Sequence, residues 1–549
     1  MTGWRTVAAV SVLTLSGLAI RAATGLNGGI WRDEALLLAV VDISSWHGML
    51  EYLRFHESHP PLVYAVMRIW RGAFGSSDSV ALSLPIVLSV ALIPVGYATA
   101  ARLFSRQAAL LSAFLICIAA PLVAYGSSVR PYSFLAMAVL ISTFCLAIAL
   151  ESRRKSAWAL YSASAAILIY THNWAWLVVA GQTVSVILIS VHAPSENRRR
   201  VLSFGLSLTA AVAAFLPWLP ALLWQAENAG HFPEPINGAV GIVKLVFFSS
   251  ILALNATIIP PVEEGRVIVL LAGVIAIGVL LLVARPNRNK PIMPSTRAIH
   301  PVAMMVFVVT PTAALILALI LYPFTNLIIT ACLSSLSSLI IIAAASYASR
   351  VTDLSPRRPN GVAAAAVLAT IVMTVGIHSA GLYELIIRPR SNARELVEAM
   401  NVERHSDDLV VVAPGWLVSS LNHYGTGSLS QIAYPDSGGT RLFNFAQTSR
   451  RMRDDAVLER TTKTIRQFAR AGNRVWLVTD KGSARGASEF DRRFAPTMRA
   501  PAQMVRVRVE DLRRVLFETF GPPLATEWPL KGIPVHEEMF AELYGPVGR

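Results

Sequence analysis

The chain has 549 residues, 54% of them hydrophobic and 15% charged, with a mean hydropathy of +0.53. Soluble domains carry about a quarter charged residues, so a wholly soluble protein is excluded and a multispanning membrane protein is indicated. The net charge of +15 falls largely in short loops between apolar runs, a cytoplasmic-loop pattern that argues against nucleic acid as a partner. Cys117, Cys145 and Cys332 all lie in apolar runs, which leaves no disulfide framework and no cysteine metal motif.

A spanning helix needs about 20 mostly apolar residues. In chain order such runs fall near 6–25, 80–102, 107–126, 131–150, 157–171, 174–192, 201–223, 266–284, 301–321, 328–348 and 361–383, which predicts about eleven spans. The first run is long and no clear cleavage site follows, so it reads as an anchor rather than a signal peptide. The loops "ARLFSR", "ESRRKS", "SENRRR", "ARPNRNK" and "SRVTDLSPRRPN" are basic and alternate with basic-poor loops. Placing the basic set in the cytoplasm puts a long first loop, about 26 to 79, on the outside, together with the C-terminus. The run 239–260 contains Lys244 and would invert every later loop if it spanned, so it reads as an interfacial or re-entrant helix.

Beyond about residue 384 the composition becomes that of a soluble domain. "DDLVVVAP" (407–414) and "NRVWLVTD" (473–480) read as buried strands, and 391–404 and 452–472 have helical periodicity. Helices preceding buried strands predict a small α/β domain with a parallel sheet. The expected fold class is therefore a polytopic α-helical membrane protein, residues 1–383, followed by a soluble extracytoplasmic α/β domain, residues 384–549.

The acids of the membrane portion gather in the first loop: Asp33, Glu34, Asp42, Glu51, Glu57 and Asp78. The stretches 36–53 and 60–74 are amphipathic, predicting two helices lying on the membrane and joined by "RFHESHPP" (54–61). Asp33 and Glu34 sit where the loop leaves the first span. They read either as caps and dipole partners of a helix start or as a general base at the membrane–water boundary. His59 reads as a solvated loop histidine, or as a hydrogen-bond donor or metal ligand beside the acids. Arg130 in "YGSSVRPYS" is a snorkelling residue or a phosphate grip. His172 in "YTHNWAW" belongs to an interfacial aromatic belt or to a sugar- or acceptor-binding surface.

In this order, "WRDEA" (31–35), "HPPLVYAVMRIW" (59–70), "YGSSVRPYSFL" (125–135), "YTHNWAWLVVAGQ" (170–182) and "LPWLPALLWQ" (216–225) resemble the GT-C fold glycosyltransferases that use polyprenyl-phosphate sugars. The resemblance is to the family 39 and protein-mannosyltransferase-like group, with its bacterial lipopolysaccharide- and arabinose-transferring relatives, and it covers about the first 225 residues. It implies inverting transfer of a sugar from a polyprenyl-phosphate donor to a hydroxyl of an envelope glycan, lipid or protein. It also implies Asp33 as general base, with Glu34 supporting it or, with His59, holding a divalent cation where one is used. His59, Arg130, Tyr132 and His172 are then donor-phosphate or substrate residues, with Arg54 and Lys244 as further candidates. The chain departs from the family where Ser128 replaces a Glu two residues before the Arg of "RPY", and where Asn326 stands near a frequent Arg. Two other readings stay open: a transporter or flippase of lipid-linked sugars, and a catalytically silent scaffold of the same fold. A transporter is disfavoured because its ionisable residues would be expected in broken helices at mid-membrane, whereas these acids gather at one rim.

Overall fold

The computed structural model describes residues 3–152, 154–192, 197–228, 301–321, 334–353, 361–425, 430–435, 442, 448, 451–484, 501–527 and 537–546. Lys244, Asn326, the run 239–260 and the predicted span 266–284 lie outside the described residues. The helices are α1 (Gly3–Asn27), α2 (Arg32–Val41), α3 (Trp46–His56), α4 (Leu62–Phe74), α5 (Asp78–Leu103), α6 (Arg106–Ile118), α7 (Ala120–Gly126), α8 (Tyr132–Glu151), α9 (Lys155–Thr171), α10 (Ala175–His192), α11 (Asn197–Phe215), α12 (Leu219–Asn228), α13 (Pro301–Leu321), α14 (Ser337–Asp353) and α15 (Gly361–Ile387). Among the described residues six helices are long and apolar enough to cross a membrane, or seven if the bent pair α6 and α7 is one span. Two of the expected spans, near 157–171 and 174–192, are helices of 17 and 18 residues.

The chain divides into two compact units, Met1–Gly25 with Leu82–Leu219 and Asn237–Ile386, and Leu26–Ala81 with Pro220–Ile236 and Ile387–Arg549. The first loop thus groups with the C-terminal portion rather than with the helices that flank it in sequence.

In the first unit, α10 and α13 approach closely because Gly181 has no side chain. A Cβ there would lie 2.3 Å from the Thr310 carbonyl oxygen. Ser185 Oγ and Thr310 Oγ1 meet at 3.0 Å across the same contact, the small-residue packing that apolar surroundings favour. The span over 106–126 breaks at Ala119 with a bend of 55°. The break strips the last carbonyls of α6 of helical partners, and Arg21 of α1 replaces them. Its guanidinium donates to Cys117 O and Ile116 O, each at 3.1 Å, and to Ser89 Oγ at 2.7 Å.

In the second unit the first loop folds as three helices, not the expected two. The amphipathic stretch 36–53 is interrupted after Val41, because Ser45 caps a new helix by accepting a hydrogen bond from Gly48 N at 2.9 Å. Arg68 of α4 spans that break and donates to the Val41 and Ser44 carbonyls. Gln225 and Trp224 of α12 pack on α3, through a 2.8 Å hydrogen bond to Leu53 O and an edge-to-face contact with Phe55.

The C-terminal portion contains α16 (Ala393–Glu403), β1 (Leu409–Val412), α17 (Val418–Tyr424), β2 (Ser430–Ala433), α18 (Asp455–Arg470), β3 (Val475–Asp480), α19 (Pro501–Phe520), β4 (Ala525–Glu527) and β5 (Met539–Tyr544). The strands form one sheet of order β2-β1-β3-β5-β4. β2, β1 and β3 are parallel, but β5 and β4 run antiparallel, so the sheet is mixed rather than wholly parallel. Strand alternation sends Leu409, Val411, Val475 and Leu477 to one face, against Val457 and Ile465 of α18 and Leu512 and Leu516 of α19. Val410, Val412, Trp476 and Val478 go to the other face, against Leu396 and Met400 of α16 and Leu421 of α17. The predicted strands 407–414 and 473–480 and helices 391–404 and 452–472 thus correspond to β1, β3, α16 and α18.

Candidate functional site

Asp33 and Glu34 occupy the first turn of α2 and do different things there. Glu34 is fully buried. One carboxylate oxygen accepts from Trp31 N at 3.2 Å and closes the helix start. The other accepts from Arg390 Nη1 at 2.7 Å. Asp33 keeps 24% of its side-chain surface exposed and lies 3.3 Å from Arg32 Nε. One carboxylate is therefore fixed in the interior, and the one beside it reaches solvent.

Arg390 follows the end of α15, and its backbone joins the same turn. Arg390 N and Ser391 N both donate to Gly28 O, at 2.7 and 3.2 Å. Ile30 N donates to Tyr424 OH at 2.6 Å. Gly28 and Gly29 permit this approach. A Cβ on Gly28 would stand 2.2 Å from Arg390 Nε, and Gly29 has φ +63°, a conformation that glycine adopts without strain.

Most of the other acids of the first loop are paired in the same unit. Asp78 meets His423 Nε2 at 2.8 Å and Arg394 at 3.3 Å. Asp42 pairs with Arg71. Glu57 Oε1 lies 2.8 Å from His59 Nδ1, and His59 is buried rather than solvated. Arg54 is exposed on α3. No three of His, Cys, Asp and Glu gather among the described residues to hold a metal ion. Glu34, engaged by Arg390 and by Trp31 N, does not fit the role of a vacant ligand.

The first unit brings together three of the predicted residues from two separate turns. Arg130 lies over the ring of Tyr132 with Cζ 5.8 Å from its centroid. Tyr132 lies 6.1 Å from the ring of His172 and 5.1 Å from that of Tyr125. Arg130, Tyr132 and His172 are each 8% exposed. His172 Nδ1 accepts from Trp174 N at 3.0 Å, which fixes the ring. An arginine held over a tyrosine ring that itself lies near an imidazole is a chemically suitable anion grip.

Two residues of the second unit went unrecognised in the sequence, Arg390 and Glu537. Glu537 is buried and accepts hydrogen bonds from Ser391 Oγ at 2.8 Å and Ser420 Oγ at 2.8 and 3.0 Å. Burial pushes its carboxyl up to about 7, against the opposing pull of Arg32 and the two serines. Arg390 carries a sequence signal: three arginines at 388, 390 and 394 directly after a span call for acidic partners. Glu537 carries none.

Residues 58–224 match the sequence model of the family described as dolichyl-phosphate-mannose-protein mannosyltransferase. No curated protein sequence matches the chain. Among solved structures the fold resembles that of ArnT from Cupriavidus metallidurans bound to undecaprenyl phosphate, with a TM-score of 0.53, 14% identity and 98% of each chain covered. It also resembles the archaeal oligosaccharyltransferase AglB from Archaeoglobus fulgidus in complex with an inhibitory peptide and a dolichol-phosphate, with a TM-score of 0.53, 11% identity, and 87% of this chain and 69% of that chain covered. A second structure of the Archaeoglobus fulgidus oligosaccharyltransferase, in complex with Zn and sulfate, has a TM-score of 0.51 at 12% identity, with 86% and 68% covered. The chain therefore shares the fold of these proteins, and its residues 58–224 match the sequence model of that family.

Proposed function

We propose that the protein is a membrane glycosyltransferase that moves a sugar from a polyprenyl-phosphate donor to an acceptor hydroxyl with inversion. The observation that carries this reading is the pairing of a partly exposed Asp33 with a buried, arginine-bound Glu34 at the start of α2, in a chain of this fold. The acceptor oxygen attacks the anomeric carbon while the bond from that carbon to the phosphate oxygen breaks. Polyprenyl phosphate leaves with the bonding pair, and the hydroxyl proton passes to the Asp33 carboxylate and then to solvent. The leaving group is already good, so positioning and charge stabilisation carry most of the acceleration. Arg130, stacked on Tyr132 beside His172, is assigned to the donor phosphate. His59 is assigned to the same donor region by resemblance, and Arg54 and Lys244 are further candidates for a phosphate contact there. The acceptor is a glycan, lipid or protein of the cell envelope. The enzyme would have about eleven spans in the cytoplasmic membrane, with the first loop and the C-terminal α/β domain on the outer face, as the distribution of basic loops indicates.

The test is release of polyprenyl phosphate by purified protein in lipid nanodiscs, offered a panel of polyprenyl-phosphate sugars. Saturable release from one donor class, with the sugar recovered in inverted linkage, is expected. A donor that crosses a proteoliposome membrane with its sugar still attached would instead establish the transporter reading. Binding without either event would leave a scaffold.

A further inference from the structure

The carboxyl ends of parallel strands are where open α/β sheets bind their ligands, above all where strand order reverses. Here β1 leads through α17 to β2 on one side, while β3 lies on its other side. Glu537 belongs to that end. β5 runs antiparallel to β3 with Met539 opposite Asp480, so the residues just before β5 sit beyond the carboxyl end of β3. Ser420 comes from α17, which follows β1. What lies against this end is the protein's own first loop. α2 packs against α17, Arg32 lies over the ring of Trp416 at 5.7 Å, and Gly28 O receives the 390–391 amides.

Two connected locks result. Arg390 joins them, with its side chain on Glu34 and its carbonyl accepting from Glu537 N at 3.1 Å. On the far side, Ser391 and Ser420 hold the Glu537 carboxyl. We propose that Arg390 and Glu537 are positioning residues for sugar transfer: the C-terminal sheet holds α2 by its first turn, neutralises Glu34, and so presents Asp33 as the proton acceptor in a fixed place. This rests on the glycosyltransferase reading and gives the C-terminal sheet a task within it. The groups facing Glu537 are Arg32 and Asp33 from α2, Ser391 from the linker and Ser420 from α17. Burial raises the Glu537 carboxyl, and the nearby Asp33 carboxylate adds to that shift. A misplacement of about 1 Å at a reacting group costs about a hundredfold in rate, and loss of the Arg390–Glu34 bond should produce one of that order.

The experiment measures kcat and donor KM for release of polyprenyl phosphate in nanodiscs, with wild type, Arg390→Ala, Arg390→Lys and Glu537→Gln. Arg390→Ala should lower kcat about a hundredfold and leave donor KM within about threefold, because the donor's own contacts are untouched. Arg390→Lys keeps a positive charge near Glu34 without the guanidinium geometry and should recover part of the loss. Glu537→Gln keeps the shape and should lower kcat less than Arg390→Ala does. Should Arg390→Ala not fold, Gly28→Ala serves in its place, since its methyl group displaces the same guanidinium, and the same loss in kcat is expected. An active wild type whose variants keep the wild-type kcat, or lose KM and kcat alike, would overturn the positioning role alone. A wild type that releases nothing from any donor would overturn the glycosyltransferase reading, and this inference with it.

Discussion

The most deeply buried arginine described in each unit is Arg21 in the first and Arg390 in the second, and the two are used differently. Arg21 of the first unit is wholly buried and donates only to neutral oxygens, three carbonyls and a serine. Arg390 of the second is 4% exposed and meets a carboxylate. An arginine that satisfies carbonyls at a helix break is a splint: it replaces bonds that the bend removed, and its partners have no chemistry of their own. An arginine on a buried carboxylate carries a charge obligation on both sides, so each residue fixes the other's place. A buried charge in a chain of this class is therefore read by its partner rather than by its depth.

That difference can be tested by removing each arginine. Arg390→Met leaves the fully buried Glu34 uncompensated and should destabilise the second unit by about 3–5 kcal/mol, with much of the loss returned in the double variant Glu34→Gln/Arg390→Met. Arg21→Met leaves polar acceptors but no charge and should cost about 1–3 kcal/mol, with no single partner whose replacement restores it. Thermal unfolding in nanodiscs measures both, and equal rescue in the two cases would dissolve the distinction. Between these stands a control without charge. Ile465→Ala under the sheet should cost about 2–5 kcal/mol and leave the release rate of folded protein unchanged.

Two pH effects are smaller. Burial would raise Asp408, but hydrogen bonds from Arg474, His405 N and Trp476 outweigh it and hold the carboxyl below the usual range. Its stabilising contribution is therefore present at neutral pH and is lost as pH falls through that depressed value. Glu537 has the opposite sign. With its carboxyl raised to about 7, its contribution is full below the ordinary carboxylate range and declines as pH rises toward 7. Glu537→Gln should flatten the stability profile between those limits, whereas a profile unchanged by the substitution would contradict the burial assigned to Glu537.

Much of the architecture was legible because it repeats locally. The apolar runs marked the helices, and the unbroken runs of 409–412 and 475–480 marked the parallel strands. The third helix of the first loop was concealed by amphipathic spacing that continues through residues 42–45, where only the serine cap decides. Asp33, Glu34 and the group Arg130, Tyr132 and His172 stood out as polar residues beside apolar runs. The partner of Glu34 was not legible, since Arg390 lies 356 residues away in sequence and nothing local joins them. Glu537 was hidden for the same reason. A single acid near a chain end becomes significant only when folding buries it between two serines.

The most direct test of the central claim is a single-turnover measurement of polyprenyl-phosphate release by wild type and by Asp33→Asn, at a donor concentration saturating for both. Asp33→Asn keeps the size of the side chain and removes the base, so the rate should fall by roughly 10²–10⁴ while donor binding is retained. Equal rates in the two proteins would contradict the assignment of Asp33 and return the acid pair to the role of a helix cap.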